Sequence, residues 1–368
     1  MDDADNWLAL ARAPGLHRDH LRDAGALESP MQLVGLRQNE LAARGIPAAA
    51  AAWLARPDAK ILQGDRRWME GAGIALIGCD SERFPPLFGQ ICSAPVALYV
   101  RGNSAVLLSA QLAIVGSRNP TAGGARTARD FASFLAGAGL TITSGLAVGI
   151  DTAAHEGALA GSGRTIAVLG SGLDLIYPPE NTDLAARIVG QGGAVLSEFP
   201  PGTPPRRENF PRRNRLISGL SLGTLVVEAA RQSGSLITAR LASEQGREVF
   251  AIPGSIHNPL ARGCHDLLRQ GAKLVETAAD VLSELKIPYK KQDVNADSSA
   301  RSTSAVPGHG LDKDYEILLD ALGFEAQSID VLVDRTGLPS PALASMLLIL
   351  ELEGRVGLHA GGRYARVT

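Results

Sequence analysis

Short loops rich in glycine and serine follow two apolar runs of the sequence, and their residue types suit phosphate binding. Gly116-Ser117-Arg118 comes directly after the run 112–115, and Ser144-Gly145 follows the run 140–143. A glycine turn that enters a helix presents backbone N–H groups to an anion, and an arginine adds a bidentate phosphate contact. Taken alone, the first loop is equally consistent with an ordinary strand-to-helix turn that carries a surface arginine.

The densest positive charge lies in residues 206–215, where arginine fills five of ten positions. The whole chain has 36 lysines and arginines among 368 residues and a formal net charge of −2, so it is not a bulk polyanion binder. Phe210 lies inside the run, and a basic groove with an aromatic surface is what a sequence-tolerant binder of single strands needs. We expect Pro211 to start a helix that anchors the run. The run therefore predicts a nucleic acid contact, with a solvated loop as the alternative.

Two further segments carry weaker signals. We expect Ser235, after Gly234, to cap a helix that includes Thr238; a Gly-Ser helix start favours an anion, with a plain N-cap as the alternative. We interpret Asp151 and His155 as a helix cap and a local hydrogen bond, because no nucleophile is paired with the histidine. We assign no catalytic residue, no metal site and no cofactor, since the 116–118 loop is not the dinucleotide-binding fingerprint.

The elements that must position these loops alternate along the chain. Nine short β-rich runs between residues 71 and 287 are separated by helical segments (74–77, 96–100, 112–115, 140–143, 165–169, 194–196, 224–227, 249–252 and 273–275). This α/β pattern predicts a mainly parallel sheet covered on both faces, with ligands bound at the carboxyl ends of its strands.

Three other segments flank this region. Residues 1–70 read as short helices punctuated by glycine and proline turns. Residues 288–310 are polar and rich in serine, which predicts a flexible linker. Residues 311–368 contain three helical segments and two short strands, the pattern of a winged helix.

Cysteine usage and the N-terminus bear on location. Three scattered cysteines give neither a disulfide framework nor a metal cluster. No apolar run approaches the ~18 residues of a membrane helix, and Met1-Asp2-Asp3 lacks the basic flank of a signal peptide. We expect a cytoplasmic protein without membrane contact.

Five motifs stand in the order and spacing of the DNA-processing protein A family (DprA, also called Smf), which this chain resembles over residues 70–285. The flanking segments are similar to the three-part layout common in that family. The motifs are Gly116-Ser117-Arg118, Ser144–Asp151, Tyr177-Pro178-Pro179-Glu180-Asn181, Phe210–Arg215 and Gly234–Ala239.

The resemblance implies an extended Rossmann-like domain between an N-terminal helical domain, SAM-like or helix-hairpin-helix-like, and a C-terminal winged helix. It implies a homodimer that binds single-stranded DNA, protects incoming strands and loads the RecA recombinase during natural transformation (competence). Members of the family are not known as enzymes. By this resemblance, phosphate contacts fall on Gly116, Ser117, Arg118, Ser144, Gly145, Arg212, Arg213 and Asn214, with Phe210 and Arg215 nearby.

The chain departs from this pattern in both flanking segments. The N-terminal turn Pro14-Gly15-Leu16-His17 has one glycine where the phosphate-binding hairpin has two, so we predict no phosphate contact there. The third helix of the winged helix, 340–350, has no lysine or arginine. Because a recognition helix supplies such side chains to DNA, we predict that this module contacts protein or supports the dimer. Arg363 and Arg366 leave weak duplex contact open.

Two other functions are weighed against single-strand binding. A nucleoside monophosphate hydrolase of the related Rossmann-like type uses a Pro-Gly-Gly-x-Gly-Thr loop followed by a glutamate. This chain has Gly223-Thr224 and Glu228, but Leu220-Ser221-Leu222 stands where the additional proline and glycine are needed. A transcription regulator acting through the winged helix is disfavoured by the uncharged third helix.

Overall fold

The computed structural model describes residues 2–288, 313–323, 326–359 and 361–366. The chain divides into two compact units, residues 1–289 and 290–368. The predicted linker 288–310 lies outside the described residues except for Pro288. Within the described ranges, no helix has the length and hydropathy to span a membrane.

A nine-stranded sheet forms the centre of the first unit. Its strands run in the order β1-β2-β6-β5-β4-β3-β7-β8-β9. The seven strands β3 to β9 are mutually parallel, and β1 and β2 extend one edge in antiparallel pairing, which confirms the predicted mainly parallel sheet. The strands are β1 (Ile74–Gly78), β2 (Ala97–Gly102), β3 (Gln111–Val115), β4 (Thr141–Ser144), β5 (Thr165–Val168), β6 (Ala194–Ser197), β7 (Gly223–Val226), β8 (Glu248–Ala251) and β9 (Lys273–Leu274).

Five N-terminal helices belong to the same unit, and the first and fifth of them pack against the β1–β2 edge of this sheet. The ring of Trp7 covers Gly78, where an added Cβ would lie 2.5 Å from the indole. Arg12 forms an ion pair with Asp65 and donates a hydrogen bond to the carbonyl of Pro201 at 3.0 Å. The helices are α1 (Asp3–Arg12), α2 (Arg18–Asp23), α3 (Gln38–Ala43), α4 (Ala48–Ala55) and α5 (Ala59–Ala72).

Helices cover both faces of the sheet, as strand β3 shows. Leu112 and Ile114 enter a core with α6 and α12, whereas Ala113 and Val115 enter a second core with α9 and the N-terminal helices. Alternate residues of a strand point to opposite faces, so every residue of β3 is buried. The helices of this region are α6 (Ala122–Gly137), α7 (Ile150–Ala160), α8 (Thr182–Gly190), α9 (Asn209–Leu220), α10 (Ser235–Glu244), α11 (Arg262–Arg269) and α12 (Ala278–Glu284).

The second unit is a winged helix, as predicted. Leucines of all three helices share a small core with Val356. A bridge between Gln327 and Tyr364 extends the two-stranded wing. The third helix exposes Leu348, Ile349 and Leu352. The elements are α13 (Lys313–Leu322), α14 (Ile329–Thr336), α15 (Ser340–Leu352), β10 (Val356–His359) and β11 (Arg363–Arg366).

Candidate nucleic-acid interface

The carboxyl ends of the central strands open onto a groove of about 870 Å³ that is bordered by α9 and α10. In open α/β sheets, ligands bind at this edge. Nine of the thirteen predicted site residues line the groove: Gly116, Ser117, Arg118, Phe210, Arg213, Asn214, Gly234, Ser235 and Thr238. The other four, Ser144, Gly145, Arg212 and Arg215, are not among the lining residues.

Phe210 is the meeting point of two arginines and a second aromatic ring. The guanidinium carbon of Arg118 lies 5.6 Å from the Phe210 ring centroid, and that of Arg213 lies 6.0 Å from it. The ring of Tyr177 also contacts Phe210, with 5.8 Å between the two centroids. These distances are within the reach of cation–π and aromatic contacts. The structure therefore brings Arg118 and the arginine run of α9 into one groove.

The loop that carries Arg118 is held on both sides by backbone contacts. The N–H of Ser117 donates to the carbonyl of Glu228 at 2.7 Å, and the carbonyl of Ser117 accepts from the N–H of Ile150 at 3.1 Å. Gly149 packs against this loop with φ +88°, and a Cβ there would lie 2.4 Å from the Ser117 carbonyl oxygen. Only glycine fits that approach and that backbone angle. Arg118 thus projects from a fixed turn.

The Glu228 carboxylate occupies the start of α6. Its Oε2 accepts from the N–H of Thr121 at 2.9 Å, and its Oε1 accepts from the Thr121 hydroxyl at 2.7 Å. A Cβ on Gly124 would lie 2.3 Å from the carboxyl carbon, so the helix is open only to this side chain. A carboxylate is favourable at a helix N-terminus. A carboxylate of the chain itself therefore lies at this helix N-terminus, a kind of position that can also bind a phosphate.

Arg213 forms the floor of the groove rather than its surface. Its side chain is 4 % exposed. Its Nη1 donates to the carbonyl of Gly145, which follows β4, at 2.7 Å, and to the carbonyl of Val168, the last residue of β5. Burial lowers the pKa of Arg213 to about 10, although Asp151 opposes the shift, so the guanidinium keeps its charge at neutral pH. Burial also raises the pKa of Asp151, against the effect of Arg213. The groove rests on a buried, fixed positive charge.

Asp151 braces a loop instead of capping a helix. Helix α7 begins at Ile150 with Gly149 as its N-cap residue, so the predicted cap is wrong. The Asp151 carboxylate accepts from the N–H of Gly145 at 3.1 Å and of Ala147 at 3.3 Å.

Three more predicted residues have partners within the protein. The Ser144 hydroxyl donates to the carbonyl of Ile114 at 2.6 Å. Arg215 is buried and pairs with Glu198 at 3.0 Å. Arg212 is exposed, but its guanidinium carbon lies 5.6 Å from the ring centroid of Phe199.

The start of α10 differs by one residue from the prediction. Gly234 is the N-cap residue and Ser235 is the first residue of the helix, so the expectation that Ser235 caps it is wrong. The Ser235 hydroxyl shares a hydrogen bond with that of Ser233 at 2.6 Å. Asn214 of α9 donates to the Gly234 carbonyl at 3.4 Å and ties the two helices together across the groove.

The groove also contains residues that the sequence did not assign to the site. Tyr177, Arg207, Asn119 and Gln232 line it. Arg207 belongs to the predicted arginine run, and Tyr177 is the first residue of one of the five motifs. The sequence pattern therefore included both residues but did not predict that they line the site.

His155 lies in α7 and is completely buried. Its Nδ1 is 2.7 Å from the Thr165 hydroxyl, which itself donates to the Ile142 carbonyl at 2.6 Å. This network assigns the proton to Nδ1, which donates to Thr165. Burial, with a smaller effect of the Arg213 charge, lowers the pKa of His155 to about 3. His155 therefore makes a hydrogen bond as predicted, although its partner is a strand residue ten positions away and not a local one, and the ring is neutral.

We expect His155 to make folding sensitive to mild acid. The histidine binds a proton near pH 6.5 when unfolded but stays neutral to about pH 3 when folded, so its contribution is complete above pH 6.5 and falls as the pH drops. The loss between pH 7 and pH 5 is ~2 kcal/mol of the free energy of unfolding. Urea titrations at both pH values measure it. His155→Asn keeps a donor without titrating, and an equal pH dependence in this variant contradicts the assignment.

The chain contains an α/β domain whose sheet is covered by helices on both faces and has a basic groove at its carboxyl edge. A winged helix follows this domain in the sequence. Comparisons with known proteins identify the family that has this combination of domains. Residues 75–286 match the family model for DNA recombination-mediator protein A, and residues 302–362 match that for the DprA winged helix domain. Protein Smf of Escherichia coli K12 is 42% identical over 370 residues, covering 100% of this chain and 96% of its own length. The chain belongs to the DprA/Smf family.

Solved structures agree with this assignment. DNA processing protein A from Streptococcus pneumoniae has a TM-score of 0.67 at 37% identity and covers 77% of this chain and 99% of its own. DNA processing protein A from Helicobacter pylori, described with a single-stranded DNA binding mode, has a TM-score of 0.52 at 30% identity and covers 58% and 95%.

Proposed function

We propose that this protein binds single-stranded DNA in the groove and acts as a noncatalytic mediator that protects incoming strands and loads RecA recombinase during natural transformation. The observation that carries the proposal is the convergence of Arg118 and Arg213 on the Phe210 ring, at 5.6 and 6.0 Å. The H. pylori relative, whose structure is described with a single-stranded DNA binding mode, supports the choice of ligand.

In this proposal, some groove residues contact the phosphates of the strand and others contact its bases. Arg118 and Asn214 donate to phosphate oxygens at the surface, and Arg213 contributes its charge from below. The Phe210 ring is available for stacking with an unpaired base of any type, because every base has an aromatic face. Backbone groups of Gly116, Ser117, Gly234, Ser235 and Thr238 border the strand, with Arg212 at the rim. Ser144, Gly145 and Arg215 hold the frame through the internal contacts described above.

The absence of catalysis is part of the proposal. Glu228, the residue that a nucleoside monophosphate hydrolase would use, is 8 % exposed and both of its carboxylate oxygens accept hydrogen bonds from Thr121. Incubation with nucleoside monophosphates is therefore expected to release no free base. Release of base would favour the enzyme.

Titration of the full chain with fluorescent oligothymidine tests the proposed ligand. We expect tighter binding of the single strand than of a duplex of equal length, because only unpaired bases reach the Phe210 ring. The logarithm of the affinity should fall with the logarithm of salt concentration with a slope of about −0.7 per neutralised phosphate. Duplex binding of equal or greater strength, or binding independent of salt, contradicts the proposal.

We also propose that the protein forms a homodimer and contacts RecA. Both proposals rest on the family resemblance. Light scattering is expected to give twice the mass of 38.4 kDa. RecA is expected to assemble faster on oligothymidine coated with this protein than on a strand coated with the Arg118→Ala variant. The cytoplasmic location, the domain boundaries and the protein-contact role of the winged helix stay predictions.

A further inference from the structure

The Tyr177 side chain is an exposed aromatic ring on the wall of the groove. It is 45 % exposed, and its plane is tilted by 48° to that of Phe210, with 5.8 Å between the centroids. Phe210 is only half-buried, so the two rings border one space beside Arg118. An exposed ring next to a cation is the combination that binds an unpaired nucleotide, with the base on the ring and the phosphate on the charge.

The rest of the motif that begins with Tyr177 is anchored to the protein through Asn181. Asn181 is buried, and its amide donates to the carbonyl of Leu146 and to the hydroxyl of Thr152, both at 2.9 Å. Its N–H donates to the carbonyl of Pro178 at 3.1 Å. These bonds attach the segment to the loop that follows β4, beneath the groove. The motif therefore presents Tyr177 from a braced segment.

We propose that Tyr177 stacks on an unpaired base and, together with Phe210, makes the groove selective for single strands over duplexes. The inference rests on the proposed function and assigns its selectivity to a residue. The arginines contact phosphates, which both kinds of DNA carry, so charge alone gives little discrimination. Bases in a duplex are paired and stacked on one another, so their faces cannot reach Tyr177.

Two probes of equal charge separate base contact from phosphate contact. One is an oligothymidine, and the other is an oligomer of the same length in which every base is replaced by an abasic site. Tyr177→Ala is expected to bind oligothymidine about tenfold more weakly, the effect of ~1.4 kcal/mol of stacking. Its affinity for the abasic strand and for a duplex, and its salt slope, should stay at the wild-type values.

Two variants complete the test. Tyr177→Phe keeps the ring and is expected to retain the preference for oligothymidine over the abasic strand. Phe134→Ala is the matched control, because Phe134 is 46 % exposed and does not line the groove. Its preference should equal that of the wild type.

The outcomes distinguish this inference from the proposed function. If Tyr177→Ala weakens both probes equally, or neither, while the wild type still binds oligothymidine in a salt-dependent manner, the stacking role is wrong and the groove remains the binding site. If the wild type binds neither probe, the proposed function fails and the inference fails with it. A loss confined to oligothymidine supports Tyr177 as the selective residue.

Discussion

Arg118→Ala is expected to weaken the binding of oligothymidine by about 10- to 100-fold, the range for losing a hydrogen bond to a charged group. Arg118 is exposed at the groove, and among the described residues it has no ion-pair partner, so its charge is available to a phosphate. The salt slope should become flatter by about 0.7, the contribution of one phosphate. Fluorescence anisotropy at several salt concentrations measures both quantities.

Arg187→Ala is the matched control for Arg118→Ala. Arg187 is exposed on α8 and does not line the groove, so its removal changes the net charge by the same amount at a different place. We expect the wild-type affinity and slope from this variant. Equal losses in both variants would indicate attraction by overall charge, and wild-type behaviour of Arg118→Ala would remove the phosphate role of Arg118.

Arg213→Ala is expected to lower the free energy of unfolding by ~2–6 kcal/mol, because it leaves two buried backbone carbonyls without their donor and each unsatisfied group costs ~1–3 kcal/mol. The substitution leaves the Gly145 and Val168 carbonyls without this donor and Asp151 buried without its positive neighbour. Because Arg213 and Asp151 both line the groove, binding of oligothymidine should decline together with stability. Urea titration of the full chain, followed by the signal of the first unit, measures the loss.

The neighbouring Arg212→Ala serves as the control for stability, since Arg212 is exposed and its loss should change the free energy of unfolding by less than ~0.5 kcal/mol. Adding Asp151→Asn to Arg213→Ala should recover part of the loss, because the unpaired charge is then absent. No recovery would contradict a direct coupling between Asp151 and Arg213. An unfolding curve of Arg213→Ala equal to that of the wild type would contradict its place in the floor.

The sequence located the groove but did not sort its arginines. Loops after parallel strands meet at one edge of a sheet, so the positions of Arg118 and of residues 206–215 followed from the order of the elements. Successive residues of a helix differ by about 100° in direction, so Arg212, Arg213 and Arg215 face different surroundings. Which of them is buried depends on the carbonyls of Gly145 and Val168 and on Glu198, which lie between 17 and 68 positions away in the sequence.

Other contacts had no local pattern that could have predicted them. Glu228 reaches Thr121 across 107 positions, and only the parallel pairing of β3 and β7 brings the two together. The N-terminal helices were predicted from spacing, but their packing on the β1–β2 edge depends on single contacts such as Trp7 on Gly78. Such long-range pairings follow from the fold and not from propensity.

A crystal structure of the full chain with a short oligothymidine tests the central claim most directly. We expect the strand to lie along the groove at the carboxyl ends of the central strands, with one phosphate on the Arg118 guanidinium and one unpaired base on the Phe210 ring. A strand bound along the winged helix, or on the opposite edge of the sheet, while the groove holds no nucleotide, would contradict the account.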